Sequence, residues 1–238
     1  MLNRGDPNAM TLDHALGSFA PETHPRTERR RGDDTRGRLL DAVEALIADY
    51  GFKPLTHRTI ASRAEAHVAL LNYHFGSKEQ LIEEALARRA SQLLEQQHEA
   101  LAVLRASGDW SVEDVLWAYG GPFAKLDRDV HPTWRNYLCL VARLAGHDPS
   151  DAMMMRHFGS VYRESVAALR HALPGVDEVA LAAGFRNCRL LIEHDALARC
   201  KAGGHAPVVT SSPEQLIAFL AGGLRALAAQ DAGTLTTQ

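Results

Sequence analysis

The stretch Thr59-Ile60-Ala61-Ser62-Arg63-Ala64-Glu65-Ala66-His67-Val68-Ala69-Leu70-Leu71-Asn72-Tyr73-His74-Phe75-Gly76-Ser77-Lys78-Glu79 decides how the whole chain reads. It predicts one short helix over 57–64, with Ile60, Ala61 and Ala64 facing inward, and a second over 68–74 that Gly76 closes. Glu65, Ala66 and His67 form the turn between them. Ser77 offers an N-cap for a further helix that runs from Lys78 well past Leu94. Just upstream, Leu39, Val43, Leu46, Ile47 and Tyr50 recur at helical spacing and predict one apolar stripe on a helix over 35–50. Asp33, Asp34 and Thr35 are its candidate caps, Gly51 its stop, and Thr56 caps the next helix beyond Pro54. A longer support helix, then two short helices across a three-residue turn, is the outline of a helix-turn-helix.

The rest of the chain carries the same period. Breaks at Ser107-Gly108, Gly120-Gly121-Pro122, His131-Pro132, Gly146 to Pro149, Pro174-Gly175, Gly203-Gly204 and Pro207 separate apolar-periodic stretches. These stretches lie at 78–106, 111–129, 132–145, 150–173, 177–202 and 212–229. No β alternation of useful length occurs, so the fold class is all-α. Composition agrees: of 238 residues 46% are hydrophobic but only 6% aromatic, a balance that favours helix over sheet. No run of 18 apolar residues exists, and Arg4, Asp6, Pro7, Asp13 and His14 break any apolar leader, so a cytoplasmic location and no membrane partner are expected. Cys139, Cys188 and Cys200 are odd in number and widely spaced, which implies neither a disulfide framework nor a metal knuckle. Net charge is −3, yet residues 26–82 hold 10 basic against 8 acidic side chains. That surplus is too small to declare a nucleic-acid partner, so the placement of charges has to carry the case.

The run Leu71-Asn72-Tyr73-His74-Phe75-Gly76-Ser77-Lys78-Glu79, with Ile60-Ala61-Ser62-Arg63-Ala64 and Thr35 to Gly51, resembles the N-terminal domain of the tetracycline-repressor (TetR) family of transcriptional regulators. The resemblance is specific over 35–82; later helices resemble the family in number, length and order. It implies a two-domain all-α homodimer that is not an enzyme, with an N-terminal three-helix DNA-binding unit and a larger helical domain for ligand binding and dimerisation. On this chain the expected division is a disordered tail over 1–32, a DNA-binding domain over 33–82, a larger domain over 83–230 and a flexible tail over 231–238. Arg26, Arg29, Arg30 and Arg31 at the end of the first tail are either a solvated charge run or an arm that lies along phosphates.

Expected DNA contacts follow position by position. Val68, Ala69 and Asn72 occupy the exposed face of the recognition helix; Asn72 can pair bidentately with adenine, and Val68 or Ala69 can touch a thymine methyl. Tyr73 and His74 match family positions that contact the phosphate backbone, Lys78 can hold a phosphate at a helix N-terminus, and Thr56, Arg58 and Thr59 match positions that anchor the other side of the groove. Two residues depart from the family pattern. Glu65 stands where Gly is usual, and His67 stands where a small hydroxyl or amide cap is usual.

In the larger domain the expected effector pocket draws on Trp110, Trp117, Phe123, Trp134, Tyr137, Met154, Phe158 and Tyr162, lined for a small, mainly apolar molecule. Core packing explains the same residues, and for any single one of them it is the commoner fate, while a pocket somewhere among these helices is expected. The helices over 177–202 and 212–229 are the expected dimer elements, through Arg186, Leu190, Glu193, Leu197, Leu216, Leu220, Gly223 and Leu224. No cofactor or metal is expected. The chain has 12 histidines, and His147, Asp148, Asp151 and His157 lie close in sequence, as do Glu193-His194-Asp195, but none forms a His-x-x-x-His or His-Glu-x-x-His pair. The chain also lacks a Gly-x-Ser-x-Gly elbow and a Gly-rich phosphate loop. The expected function is a repressor that releases a palindromic operator when an effector binds. Two other readings stay open: a regulator whose ligand strengthens DNA binding, and a helical small-molecule-binding protein or enzyme with a decayed DNA domain.

Overall fold

The computed structural model describes residues 31–124, 131–145, 147, 150–201 and 211–234. Among them are nine helices and no strand: α1 (Arg31–Tyr50), α2 (His57–Arg63), α3 (Val68–Phe75), α4 (Lys78–Ser107), α5 (Val112–Ala124), α6 (Pro132–Ala145), α7 (Asp151–Ala172), α8 (Glu178–Lys201) and α9 (Pro213–Thr234). The expected tail over 1–32 lies outside the described residues except at its end, where α1 already begins at Arg31. Helix α9 ends at Thr234, inside the expected flexible tail over 231–238, whose remaining residues lie outside the described ones. Its Ala-rich last turns contain no Gly or Pro until Gly233, so nothing local stops the helix earlier.

Local side chains start these helices. Thr56 Oγ1 accepts from Thr59 N at 3.1 Å while Thr59 Oγ1 accepts from Thr56 N at 2.9 Å, a capping box at the head of α2. Ser77 with Gln80 repeats it for α4, and Ser212 with Gln215 for α9. Asp177 Oδ2 accepts from Val179 N and Ala180 N at the head of α8. Each such cap is worth about 1 kcal/mol. Gly51, Gly76 and Gly108 end α1, α3 and α4 at positive φ.

The first four helices pack on Leu39, Val43, Ile47, Ile60, Leu71 and Phe75, all buried. Truncating one of these, as in Leu71→Ala, costs about 2–5 kcal/mol by lost burial and cavity formation. Tyr50 does not join that stripe: it is 65% exposed although Ile47 and Ala48 of the same turn are buried. Helix α4 passes without a break across the expected boundary at 82/83 and ties the small unit to the larger bundle.

Helix α6 lies between α1 and α8, with Ala48, Cys139, Ala142 and Leu197 buried together at the junction. Arg143 Nη2 donates to the carbonyl of Ala48 at 3.0 Å, satisfying the C-terminal end of α1. Phe52 packs on His147 with ring centroids 4.6 Å apart. Helix α5 crosses α8 so closely that a Cβ on Gly120 would stand 3.2 Å from Ile192. Pro122 sits inside the last turn of α5, where the lost N–H costs one hydrogen bond only.

Candidate functional site

The third helix presents one outward face. Val68, Ala69, Asn72 and Tyr73 are exposed, with Tyr73 81% accessible, while Leu71 and Phe75 on the opposite side are buried. The guanidinium of Arg36 covers the Phe75 ring at 5.4 Å and closes the core beneath this helix. The outward face therefore carries an amide, two methyl-bearing side chains and a phenol, a set that can read base edges in a major groove and touch its wall. His74 is half-buried, its ring edge-on to Tyr73 at 5.2 Å.

The flanks of that face are helix starts. Leu55, Thr56, His57, Gly76, Ser77, Lys78 and Glu79 line a shallow hollow where the heads of α2 and α4 meet. The head of α4, with Lys78 beside it, lines this hollow, an arrangement suited to a phosphate oxygen. Arg58 is exposed and makes no ion pair among the described residues. The Thr59 hydroxyl is occupied internally, bonded to Pro54 O at 2.7 Å and to the Thr56 cap, so Thr59 acts by shaping the head of α2.

Both departures from the family pattern have structural consequences. Glu65 takes φ 51, and it alone among described non-glycine residues has positive φ. That conformation costs about 1–2 kcal/mol for a residue with a Cβ. The turn is held by Ala66 N donating to Ala61 O at 2.9 Å. His67 caps α3 by position only, with no side-chain hydrogen bond to the helix.

A second feature lies between α7 and α8. A cavity of about 490 Å³ is lined by Asp151, Met154, Met155, Tyr162, Arg163, Val166, Ala167 and Arg170 from α7, and by Glu178, Ala182, Phe185, Arg186 and Arg189 from α8. Of the eight residues expected to form a pocket, Met154 and Tyr162 line this one. Trp110, Trp117, Phe123, Trp134, Tyr137 and Phe158 do not; they are packed in or against the core. Their polar atoms are used there: the Trp110 indole N–H donates to Ala168 O at 3.0 Å, and the Tyr137 hydroxyl donates to Leu86 O at 2.8 Å. Aromatic content does not mark this wall, which carries four arginines: Arg163 and Arg170 stand seven residues apart on one helix face, Arg189 lies deeper, and Arg186 was expected at the dimer interface instead.

Behind the cavity sits a buried polar cluster. The Tyr119 hydroxyl donates to Glu193 Oε1 at 2.5 Å, and Arg189 Nη1 donates to the same carboxylate at 3.1 and 3.2 Å. Arg189 also lies over the Tyr162 ring at 4.5 Å. Burial pushes the Glu193 carboxyl up to about 7 against the opposing pull of Arg189 and Tyr119. Gln97 anchors the cluster from α4, its amide donating to Tyr119 O at 2.9 Å.

The expected dimer residues divide by face. Glu193, Leu197, Leu220 and Leu224 are buried in the protomer's own core, Leu190 and Leu216 are half-buried, and Arg186 and Gly223 are exposed. Helices α8 and α9 touch closely, since a Cβ on Gly184 would come within 2.7 Å of Leu224. The face they leave open carries Val179, Ala183 and Leu191 beside Phe219, Gly222 and Ala226, with Phe219 73% accessible. These residues are one helical step away from the buried set, so an apolar pattern alone does not separate the inward stripe from the open one.

Among the described residues no three His, Cys, Asp or Glu side chains come together as metal ligands. No described helix is long and apolar enough to cross a membrane. Cys139 and Cys188 are buried, and burial pushes the Cys188 thiol up to about 11. The Cys200 side chain lies outside the described residues.

Two family models match the chain. "Bacterial regulatory proteins, tetR family" covers residues 39–85, and "Tetracyclin repressor-like, C-terminal domain" covers residues 117–223. Among solved structures, a transcriptional regulator from Rhodococcus sp. Rha1 is 20% identical, with 82% of this chain and 96% of that one covered at a TM-score of 0.52. A candidate TetR-family regulator from Rhodococcus sp. is 19% identical, with coverage of 82% and 99% and a TM-score of 0.54. The TetR-family regulator CifR, as a cysteine mutant complexed with 26-base-pair operator DNA, is 22% identical, with coverage of 85% and 99% and a TM-score of 0.52. Among curated proteins none matches. With both family segments present in order on a nine-helix frame, the chain belongs to the TetR family of transcriptional regulators, and its first helices are that family's helix-turn-helix DNA-binding domain.

Proposed function

We propose that the protein is a homodimeric repressor that holds a palindromic operator and releases it when a small effector enters the cavity between α7 and α8. The observation that carries this reading is the outward face of α3, where Val68, Ala69, Asn72 and Tyr73 stand exposed together over a buried Leu71 and Phe75. In this reading residues 33–82 are the DNA-reading unit and 83–230 the effector-binding and dimerising unit. Asn72, Val68 and Ala69 face bases. Tyr73, His74, Lys78, Arg58, Thr56 and the backbone at His67 face phosphates, and Thr59 sets the head of α2. The operator complex of the CifR mutant, on a similar fold, supports the DNA partner.

Dimerisation uses the open face of α8 and α9, through Phe219, Leu191, Val179, Ala183 and the Gly222-Gly223 pair. Neither glycine has an atom within 4 Å of where a Cβ would stand, so the backbone there is bare. A symmetric pairing of two such faces makes a four-helix bundle and matches a two-fold operator. The effector acts through α8, which shares the cavity wall with α7 and packs on α6; α6 packs on α1, and α1 underlies α3. A ligand that binds one position of α8 better than another shifts the α1–α3 unit and with it the spacing of the two recognition helices.

The test is operator binding by the Asn72→Ala/Lys78→Ala double variant against the parent. Loss of a bidentate adenine contact costs about 1–3 kcal/mol, and loss of one phosphate contact lowers the salt slope by about 0.9. Unchanged affinity and slope in the double variant would remove the DNA-reading role from this face.

A further inference from the structure

We infer that the cavity between α7 and α8 takes an amphipathic monoanion, a small carboxylic acid on an apolar body, with Arg163 and Arg186 receiving the carboxylate. The inference deepens the effector reading above and rests on it for any consequence at the operator, but not for binding itself.

Charge counting supplies the head group. The lining holds four arginines against two carboxylates, Asp151 and Glu178. Arg170 is paired with Glu178 at 3.2 Å, and Arg189 with Glu193, behind the wall, at 3.1 Å. Arg163 and Arg186 have no ion pair among the described residues, and only Asp151 remains on the lining to offset them. One positive charge is left over, which one negative charge balances. Guanidinium groups on two facing helices suit the two oxygens of a carboxylate.

The body of the ligand follows from the rest of the wall. Met154, Met155, Val166, Ala167, Ala182 and Phe185 give an apolar surface in which the methionines adapt to shape. The volume, about 490 Å³, is in the range of small-molecule sites.

The full-length chain, without DNA, is titrated calorimetrically with decanoate, decanol, decyl phosphate and decyltrimethylammonium below their micelle concentrations, and with 4-butylbenzoate as an aromatic acid. One of the two carboxylates should bind at least about tenfold tighter than the alcohol, the difference expected of a charged hydrogen-bonded contact, and the ammonium should not bind. Arg163→Gln/Arg186→Gln, both surface positions, should remove that advantage while leaving alcohol binding and the melting temperature unchanged. Equal binding of acid and alcohol, an unaffected double variant, no binding by either acid, or phosphate binding tighter than carboxylate would overturn the proposal. Operator affinity is measured separately with the acid present. Acid that binds at the arginines yet leaves the operator complex intact would keep the site and defeat the repressor-release reading instead.

Discussion

Glu44 is a carboxylate in the wrong place for its charge. It sits on α1 at 1% exposure, and neither oxygen has a hydrogen-bond partner. Its nearest cation, Arg88 Nη1, lies 3.6 Å away and is better engaged by Asp41 at 2.6 Å. Burial pushes its carboxyl up from 4.5 to about 7, with Arg88 and Arg89 pulling the other way. At about 1.4 kcal/mol per pH unit, that displacement is worth about 3 kcal/mol of folding stability. The folded chain holds the proton to higher pH than the unfolded chain. The contribution is therefore complete below pH 4.5 and is lost as pH rises to about 7. Glu44→Gln keeps the shape and cannot ionise. In urea unfolding followed by far-ultraviolet circular dichroism at one protein concentration, the parent should lose about 2–3 kcal/mol more than Glu44→Gln between pH 5 and pH 8. Glu193, whose carboxyl is raised to a similar value, contributes equally to both proteins and cancels. Equal pH slopes, within about 0.5 kcal/mol, would refute the reasoning and show the Glu44 charge to be solvated or paired.

Glu65→Gly should raise stability by about 1 kcal/mol, since φ 51 costs glycine nothing, and should tighten operator binding by removing a carboxylate near phosphates. A neutral or destabilising result in urea melts would contradict the strain. Thr59→Ala breaks one arm of the α2 capping box and should cost about 1 kcal/mol by the same assay, with α3 otherwise intact. Phe219→Glu places a charge in the open face of α8 and α9 and should reduce the sedimenting mass to that of the 26.0 kDa chain; an unchanged dimer would put the interface elsewhere.

The fold was legible wherever the signal was local. Ser77, Thr56 and Gly76 set helix ends through bonds that span three or four residues, so they read directly from sequence. Ile60, Ala61 and Ala64 read as inward because a short helix has one inward face, and they are buried. Tyr50 falls on the apolar stripe by spacing yet is exposed, because periodicity does not say where the covering neighbours stop. The larger domain was less legible for the same reason. Glu193 looked like an interface residue, but its fate is set by Tyr119, 74 positions away, which draws it into the core. Tryptophans suggested a pocket and turned out to pack inside, whereas the cavity took the face of α7 and α8 that carries arginines. Apolar periodicity marks that a helix has a buried side; it does not say which neighbour does the burying.

Fluorescence anisotropy shows whether the exposed face of α3 reads DNA. The full chain is titrated into the intergenic DNA beside its gene and into a scrambled duplex, across a salt series. Tight binding is expected to the first probe alone, at one dimer or a pair of dimers per site, with a salt slope of several phosphate contacts. Weak, equal binding to both probes that vanishes as salt rises would contradict a DNA-reading face.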